Sequence, residues 1–169
     1  MHALDCLDLH EKTFLDLGSA DGCLSLLVYQ KGAQAFLVDM DPRMGGKLTR
    51  HIKTNDFSLN SFVFIAADVG DHSYILKRIP RNIEIATANL GSHYSDADIK
   101  AIELADRLPN LHTLVVGGYT DPTVPSYYLA KWNPIRAMKA MKQRGFNIFE
   151  KVYEDTLSGC PRLTIIARR

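Results

Sequence analysis

The stretch that most constrains the fold is TFLDLGSADGCLSLLVYQKGAQAFLVDMD, residues 13–41. A short apolar run, Thr13-Phe14-Leu15, ends at Asp16 and leads into a glycine-bearing turn from Gly18 to Gly22. An amphipathic run carrying Leu24, Leu26, Leu27 and Tyr29 follows and stops at Lys31-Gly32, a common helix end. A second apolar run, from Ala35 to Val38, ends at Asp39. Strand, glycine turn, helix and strand in this order make one βαβ unit with an acid at the end of each strand, and hence an α/β chain.

Glycine turns between a strand and a helix bind ligands because backbone N–H groups and the helix N-terminus face the crevice. A dinucleotide fold puts a pyrophosphate at this turn, and Asp16, two residues before Gly18, tends to repel it. The turn also departs from G-x-G-x-x-G, with Ala20 and Cys23 where the second and third glycines would stand. An acid there suits a ligand with a positive ammonium group. Asp39 lies about 20 residues beyond the turn, the distance at which an acidic side chain reaches ribose hydroxyls. A nucleoside joined to an ammonium-bearing tail describes S-adenosylmethionine (SAM). The bland alternative is an ordinary α/β turn with no ligand.

D-L-G-S-A-D-G resembles the first motif of class I SAM-dependent methyltransferases, usually D/E-x-G-x-G-x-G, and V-D-M-D-P resembles their second. Ala20 replaces the middle glycine. The resemblance implies a three-layer α/β sandwich with a mostly parallel twisted sheet of about seven strands, closed by a C-terminal antiparallel hairpin. It also implies SAM as cofactor. Gly18, Ser19, Ala20 and Gly22 would then line the turn, and Asp16 would engage the methionine end through water. Asp39 with Met40 would lie at the ribose, Asp68 with Val69 at the adenine, and Asn89 at the end of the fourth strand.

The 169 residues, 46% hydrophobic and 23% charged, suit a single domain over 1–169 with an ample core. A net charge of +1 argues neither for nor against nucleic acid. Cys6, Cys23 and Cys160 show no metal or disulfide spacing, which favours a reducing, cytoplasmic setting. No signal-peptide pattern and no apolar run of membrane-spanning length is present, so no membrane association is expected.

Residues 1–12 allow no more than a partial helix, whereas the methyltransferases often carry N-terminal helices over the acceptor site. The resemblance therefore implies an open site, or one covered by a second copy, a partner subunit or the rest of a longer protein. Residues 42–54 read as a helix weakened by Gly45-Gly46. Its Arg43, Lys47, Arg50, His51 and Lys53 form a solvated face, with phosphate binding as the alternative. Residues 61–66 read as the third strand, leading to Asp68, which is an adenine contact by the resemblance or else a helix-start cap. A short helix over 72–78 and a fourth strand over 83–88 follow.

The fourth strand runs into Asn89-Leu90-Gly91-Ser92-His93-Tyr94, where the family places its catalytic groups. The N/D-P-P-Y/F tetrapeptide of many enzymes that methylate exocyclic amines is absent, which disfavours that subclass. His93 is the candidate general base near neutral pH, Asn89 offers an amide to the acceptor, and Tyr94 faces it. A purely structural histidine is the competing reading. A helix opened by Asp96 and Asp98 precedes a fifth strand over 111–116. The long irregular piece 117–133 holds Tyr119, Tyr127, Tyr128 and Trp132, which either stack on a planar acceptor or pin the loop to the body. Pro134 starts a last helix, and strands over 146–154 and 162–167 form the closing hairpin.

The reading that joins these features is methyl transfer from SAM. The protein need only align a nucleophile with the electrophilic methyl group and remove a proton where needed. That chemistry requires no metal, and no metal-ligand cluster is visible in the sequence. The expected acceptor is a small metabolite, with RNA (tRNA or rRNA) as the alternative. A non-catalytic methyltransferase-like module and a nucleotide-dependent oxidoreductase are the other classes.

Overall fold

The computed structural model describes residues 7–88, 96–119, 132–155 and 161–169. The chain lays down β1 (Thr13–Leu17), α1 (Cys23–Gln30), β2 (Gln34–Asp39), α2 (Arg43–Thr54), a 3-10 turn (Leu59–Ser61) and β3 (Phe62–Ala66). It continues with α3 (His72–Leu76), β4 (Ile85–Ala88), α4 (Ala97–Asp106), β5 (Thr113–Tyr119), α5 (Pro134–Gln143), β6 (Asn147–Asp155) and β7 (Pro161–Arg168). All seven strands join one sheet in the order β3-β2-β1-β4-β5-β7-β6. The first five run parallel, and β7 is antiparallel to both β5 and β6.

β1 and β4 lie at the middle of this sheet, and every residue in both is buried. Burial on both faces is why they read as continuous apolar runs rather than alternating ones. Alternation still sorts their side chains. Leu15 and Leu17 pack with Ile75, Ile102, Leu104, Ala137 and Met141 of α3, α4 and α5 on one face. Phe14 packs on the other face with Val28 of α1 and with Leu7 and Leu9 of the N-terminal segment. Beside it, Leu26 of α1 meets Leu48 and Ile52 of α2 over Ala35 and Leu37. The result is the expected three-layer arrangement.

The helix ends are built locally. Gly22 caps α1 at φ 81°, a left-handed conformation that costs glycine little. Gly32 ends it at φ 93°, its N–H donating to Tyr29 O at 2.8 Å. Asn133 caps α5, its side-chain oxygen accepting from the N–H groups of Ile135 and Arg136, with Pro134 in the first turn. Of α2 only Leu48 and Ile52 are buried, so most of its cationic residues do lie on a solvated face. A Cβ on Gly45 would stand 2.9 Å from Phe64 Cδ1, so this helix-weakening glycine lets α2 approach β3.

The structure differs from the sequence reading at Gly117. The strand does not stop at 116: Gly117, Gly118 and Tyr119 extend β5 and pair with Thr164, Leu163 and Arg162 of β7. Two glycines look like a loop start, but the long β7 edge supplies backbone partners for them. Among the described residues, no helix is long and apolar enough to cross a membrane.

Candidate functional site

The sheet register brings the carboxyl ends of four strands to one level. Leu17 pairs with Val38 on one side and Ala88 on the other, and Asp39 pairs with Ala66. The chain leaves β1 toward β2 on one side while β4 returns on the other, and a crevice opens where strand order switches. The glycine turn, Asp39 and the end of β4 at Ala88 meet at that crevice.

Most of the turn's backbone donors are already committed. The N–H groups of Gly18 and Ser19 donate to Val38 O at 2.8 and 3.1 Å. Ala20 N–H donates to Asp39 Oδ2 at 2.9 Å, and Gly22 N–H to Ser19 O at 2.9 Å. A diphosphate cradle would need these same amides free. One polar group is left over: Ser19 is 6% exposed, and its buried Oγ has no hydrogen-bond partner among the described residues. Ala20 adopts φ 48°, the left-handed region in which the methyltransferase motif carries glycine. Gly22 sits so close to α2 that a Cβ there would stand 2.5 Å from Leu48 Cδ1.

Asp16 lies deeper than its position at a strand end implies. It is 1% exposed. Its Oδ2 accepts from Ser25 Oγ of α1 and its Oδ1 from Thr87 Oγ1 of β4, both at 2.9 Å. Two hydroxyl donors are what make such a carboxyl group tolerable inside. Asp16 thus locks β1, α1 and β4 together directly beneath the turn. Asp39 is half-buried, and besides Ala20 its other oxygen accepts from Asp41 N–H at 2.9 Å.

Asp68 is held by local and ionic contacts. Its Oδ1 accepts from Gly70 N–H at 2.7 Å, the bond of a turn acid, and stands 3.4 Å from Lys100 Nζ of α4. The side chains of that pair are 36% and 43% exposed, so the ion pair is loose. Val69 beside it is buried, while Met40 is largely exposed. Asn89, His93 and Tyr94 fall outside the described residues, as do Tyr127 and Tyr128. Trp132 is described, and its indole packs on Gly118, where a Cβ would come within 2.5 Å of Cδ2. It also packs against the main core, with its Nε1 buried and unpaired among the described residues. The ring is thus packed onto β5 and the core.

Two features were not legible in the sequence. Arg43, a member of the cationic cluster on α2, grips Asp41 with Nε at 2.9 Å and Nη2 at 2.7 Å. The hydrogen-bonded guanidinium holds the Asp41 carboxyl down to about 2. The pair fixes the start of α2 next to Asp39. The second is a grouping of Asp21, Cys23 and His51, which no sequence spacing announced.

A parallel sheet in the order 3-2-1-4-5, closed by an antiparallel hairpin with β7 inserted beside β5, is the fold of class I SAM-dependent methyltransferases. No protein-family description and no curated protein matches the sequence. Solved structures match throughout. Magnesium protoporphyrin IX methyltransferase of Synechocystis PCC 6803, solved with bound SAM, superposes with a TM-score of 0.74 at 18% identity, over 96% of this chain and 72% of that one. The N-methyltransferase NodS of Bradyrhizobium japonicum WM9 gives 0.73 at 16% identity, over 99% and 93%. The cyclase SpnF gives 0.71 at 13% identity, over 95% and 75%. A cyclase in this company means that the fold alone does not decide the reaction.

Proposed function

We propose that this chain binds SAM in the crevice between the glycine turn and Asp39 and transfers its methyl group to a small-molecule acceptor. One observation carries the cofactor reading: the turn's N–H groups are spent on Val38 O and Asp39, while Ser19 Oγ stays buried and unpaired. A pyrophosphate has no cradle there, which counts against a nicotinamide dinucleotide. A ligand that offers Ser19 a partner and presents hydroxyls to a carboxylate suits the site better. The likeness to a structure solved with SAM supports the same choice.

SAM supplies a methyl group made electrophilic by the sulfonium. The residues of this chain bind and orient. Asp39 accepts from the ribose hydroxyls while keeping its bonds to Ala20 and Asp41, since a carboxylate has lone pairs to spare. Gly18, Ser19, Ala20 and Gly22 shape the wall around the methionine moiety, and Met40 and Val69 flank the nucleoside. Asp16 acts from below, its carboxyl oxygens facing the turn where an ammonium group would sit. Asp68 meets the adenine edge on the far side. Asn89 and Tyr94 position the acceptor, and His93 takes the proton that methylation releases. The methyltransferase neighbour acting on a porphyrin supports a small acceptor, while a proposed RNA methyltransferase of Pyrococcus horikoshii with the same fold keeps RNA as the second reading.

Calorimetric titration with S-adenosylhomocysteine (SAH), with NAD as control, tests this reading. SAH alone should bind, followed by turnover of SAM on a panel of metabolites tried before RNA. Binding of NAD and not SAH would overturn the cofactor. SAH binding without turnover on any acceptor would leave a non-catalytic module.

A further inference from the structure

Asp21 lies in the glycine turn, Cys23 opens α1, and His51 sits in the last turn of α2. One ligand atom from each, a carboxylate oxygen, Sγ and a ring nitrogen, lies within 4.8 Å of the other two. Cys23 Sγ is 4.0 Å from His51 Nδ1, at the far limit of any S–H···N hydrogen bond. Zinc bonds of about 2.3 Å to sulfur and 2.0–2.1 Å to nitrogen at a tetrahedral angle put those two atoms roughly 3.6 Å apart. A closure of a few tenths of an ångström is within reach of an exposed cysteine and a half-buried histidine.

We infer that Asp21, Cys23 and His51 form a three-ligand site for a borderline-soft divalent cation such as zinc, its fourth position open to water. The donor set selects the ion. A thiolate with an imidazole favours zinc and its transition-metal neighbours and disfavours magnesium and calcium, which prefer all-oxygen shells. The charges also close: a carboxylate, a thiolate and a neutral imidazole carry two negative charges against two positive ones. Binding takes cysteine as its thiolate and gives the thiol proton to solvent.

The place of the site gives it a consequence. Gly22, between Asp21 and Cys23, is the residue that touches Leu48 of α2. A bound ion therefore cross-links the turn to α2 at a contact that packing alone now makes. This inference rests on these three side chains alone and stands whether or not SAM occupies the crevice.

The test uses the full chain carrying Cys6→Ser and Cys160→Ser, so that Cys23 is its single thiol. Titration with cobalt(II) is read by the thiolate-to-cobalt charge-transfer band, and zinc affinity by competition with a chromophoric chelator. One equivalent of cobalt should bind, with zinc displacing it. Adding Cys23→Ser should remove the band, and His51→Gln and Asp21→Asn should each weaken zinc binding by more than about tenfold. Melting curves without metal identify any variant that fails to fold, and the band and stoichiometry of the starting chain then decide alone. Absence of the band, less than one equivalent bound, or unchanged zinc affinity in a folded Cys23→Ser chain would overturn the site.

Discussion

Ala20 N–H donates to Asp39 Oδ2 over 2.9 Å, tying the turn after β1 to the end of β2. The acid placed to reach a ribose is therefore also part of the scaffold that shapes the turn. On the proposed reading, ligand affinity and local stability are coupled through this one side chain.

Asp39→Ala should consequently do two things. It strands the N–H groups of Ala20 and Asp41, which should lower unfolding stability by about 1–3 kcal/mol. It should also weaken SAH binding. Asp39→Asn keeps an acceptor for one of those groups and should recover part of the stability while affinity stays low. Urea denaturation and calorimetry on both variants separate the effects, and unchanged SAH affinity in Asp39→Ala would remove the ribose role.

Ala20 offers the converse experiment. Its backbone sits at φ 48°, where a side chain costs roughly 1–2 kcal/mol. Ala20→Gly keeps the N–H that Asp39 accepts from and relieves that strain. Part of the gain is offset by the greater freedom of glycine in the unfolded chain, so a net stabilisation of about 1 kcal/mol is expected. A variant less stable than the parent in urea would show that Ala20 is not strained.

The βαβ unit was readable because its signals are local: apolar runs, a glycine turn and a helix stop all lie within 29 residues of chain, 13–41. The closing hairpin was readable for the same reason. What stayed hidden depends on distance along the chain. The Thr87 hydroxyl on Asp16 comes from 71 residues away, and only the parallel pairing of β1 with β4 brings it there. Without that partner, an acid at a strand end reads as a ligand contact rather than a buried one. His51 meets Cys23 across 28 residues, through the packing of α2 on α1. Gly117 and Gly118 misled because glycine is a turn signal until a neighbouring strand supplies the edge it pairs with.

Thr87 should be as important as any core apolar residue nearby. Its hydroxyl satisfies one oxygen of a carboxylate that is 1% exposed, and Ser25 satisfies the other. Thr87→Val keeps the shape and removes the donor, so destabilisation of about 1.5–3 kcal/mol is expected. Thr87→Ser retains the donor and should lose much less. Equal losses in the two variants would mean that the methyl group, not the hydrogen bond, matters.

At the opposite end of the same strands, Glu84 Oε1 accepts from Lys12 Nζ at 2.9 Å and Oε2 from Thr13 N–H at 3.3 Å. The hydrogen bond from Lys12 is the main cause holding the Glu84 carboxyl below its usual range, and the same bond raises Lys12. A carboxylate whose pKa is depressed by folding stabilises the native state fully above its unfolded value. That contribution is lost as pH falls through the ordinary carboxylate range and then through the depressed folded value. Glu84→Gln should therefore lower the melting temperature most near neutral pH, by a modest amount because both groups are partly exposed. The difference from the parent should shrink as the pH drops below about 4.3, the unperturbed glutamate value. A difference that stays constant from neutral to acid pH would show that the loss comes from packing or from the Thr13 bond, and that the charge on Glu84 contributes nothing to holding β1 against β4.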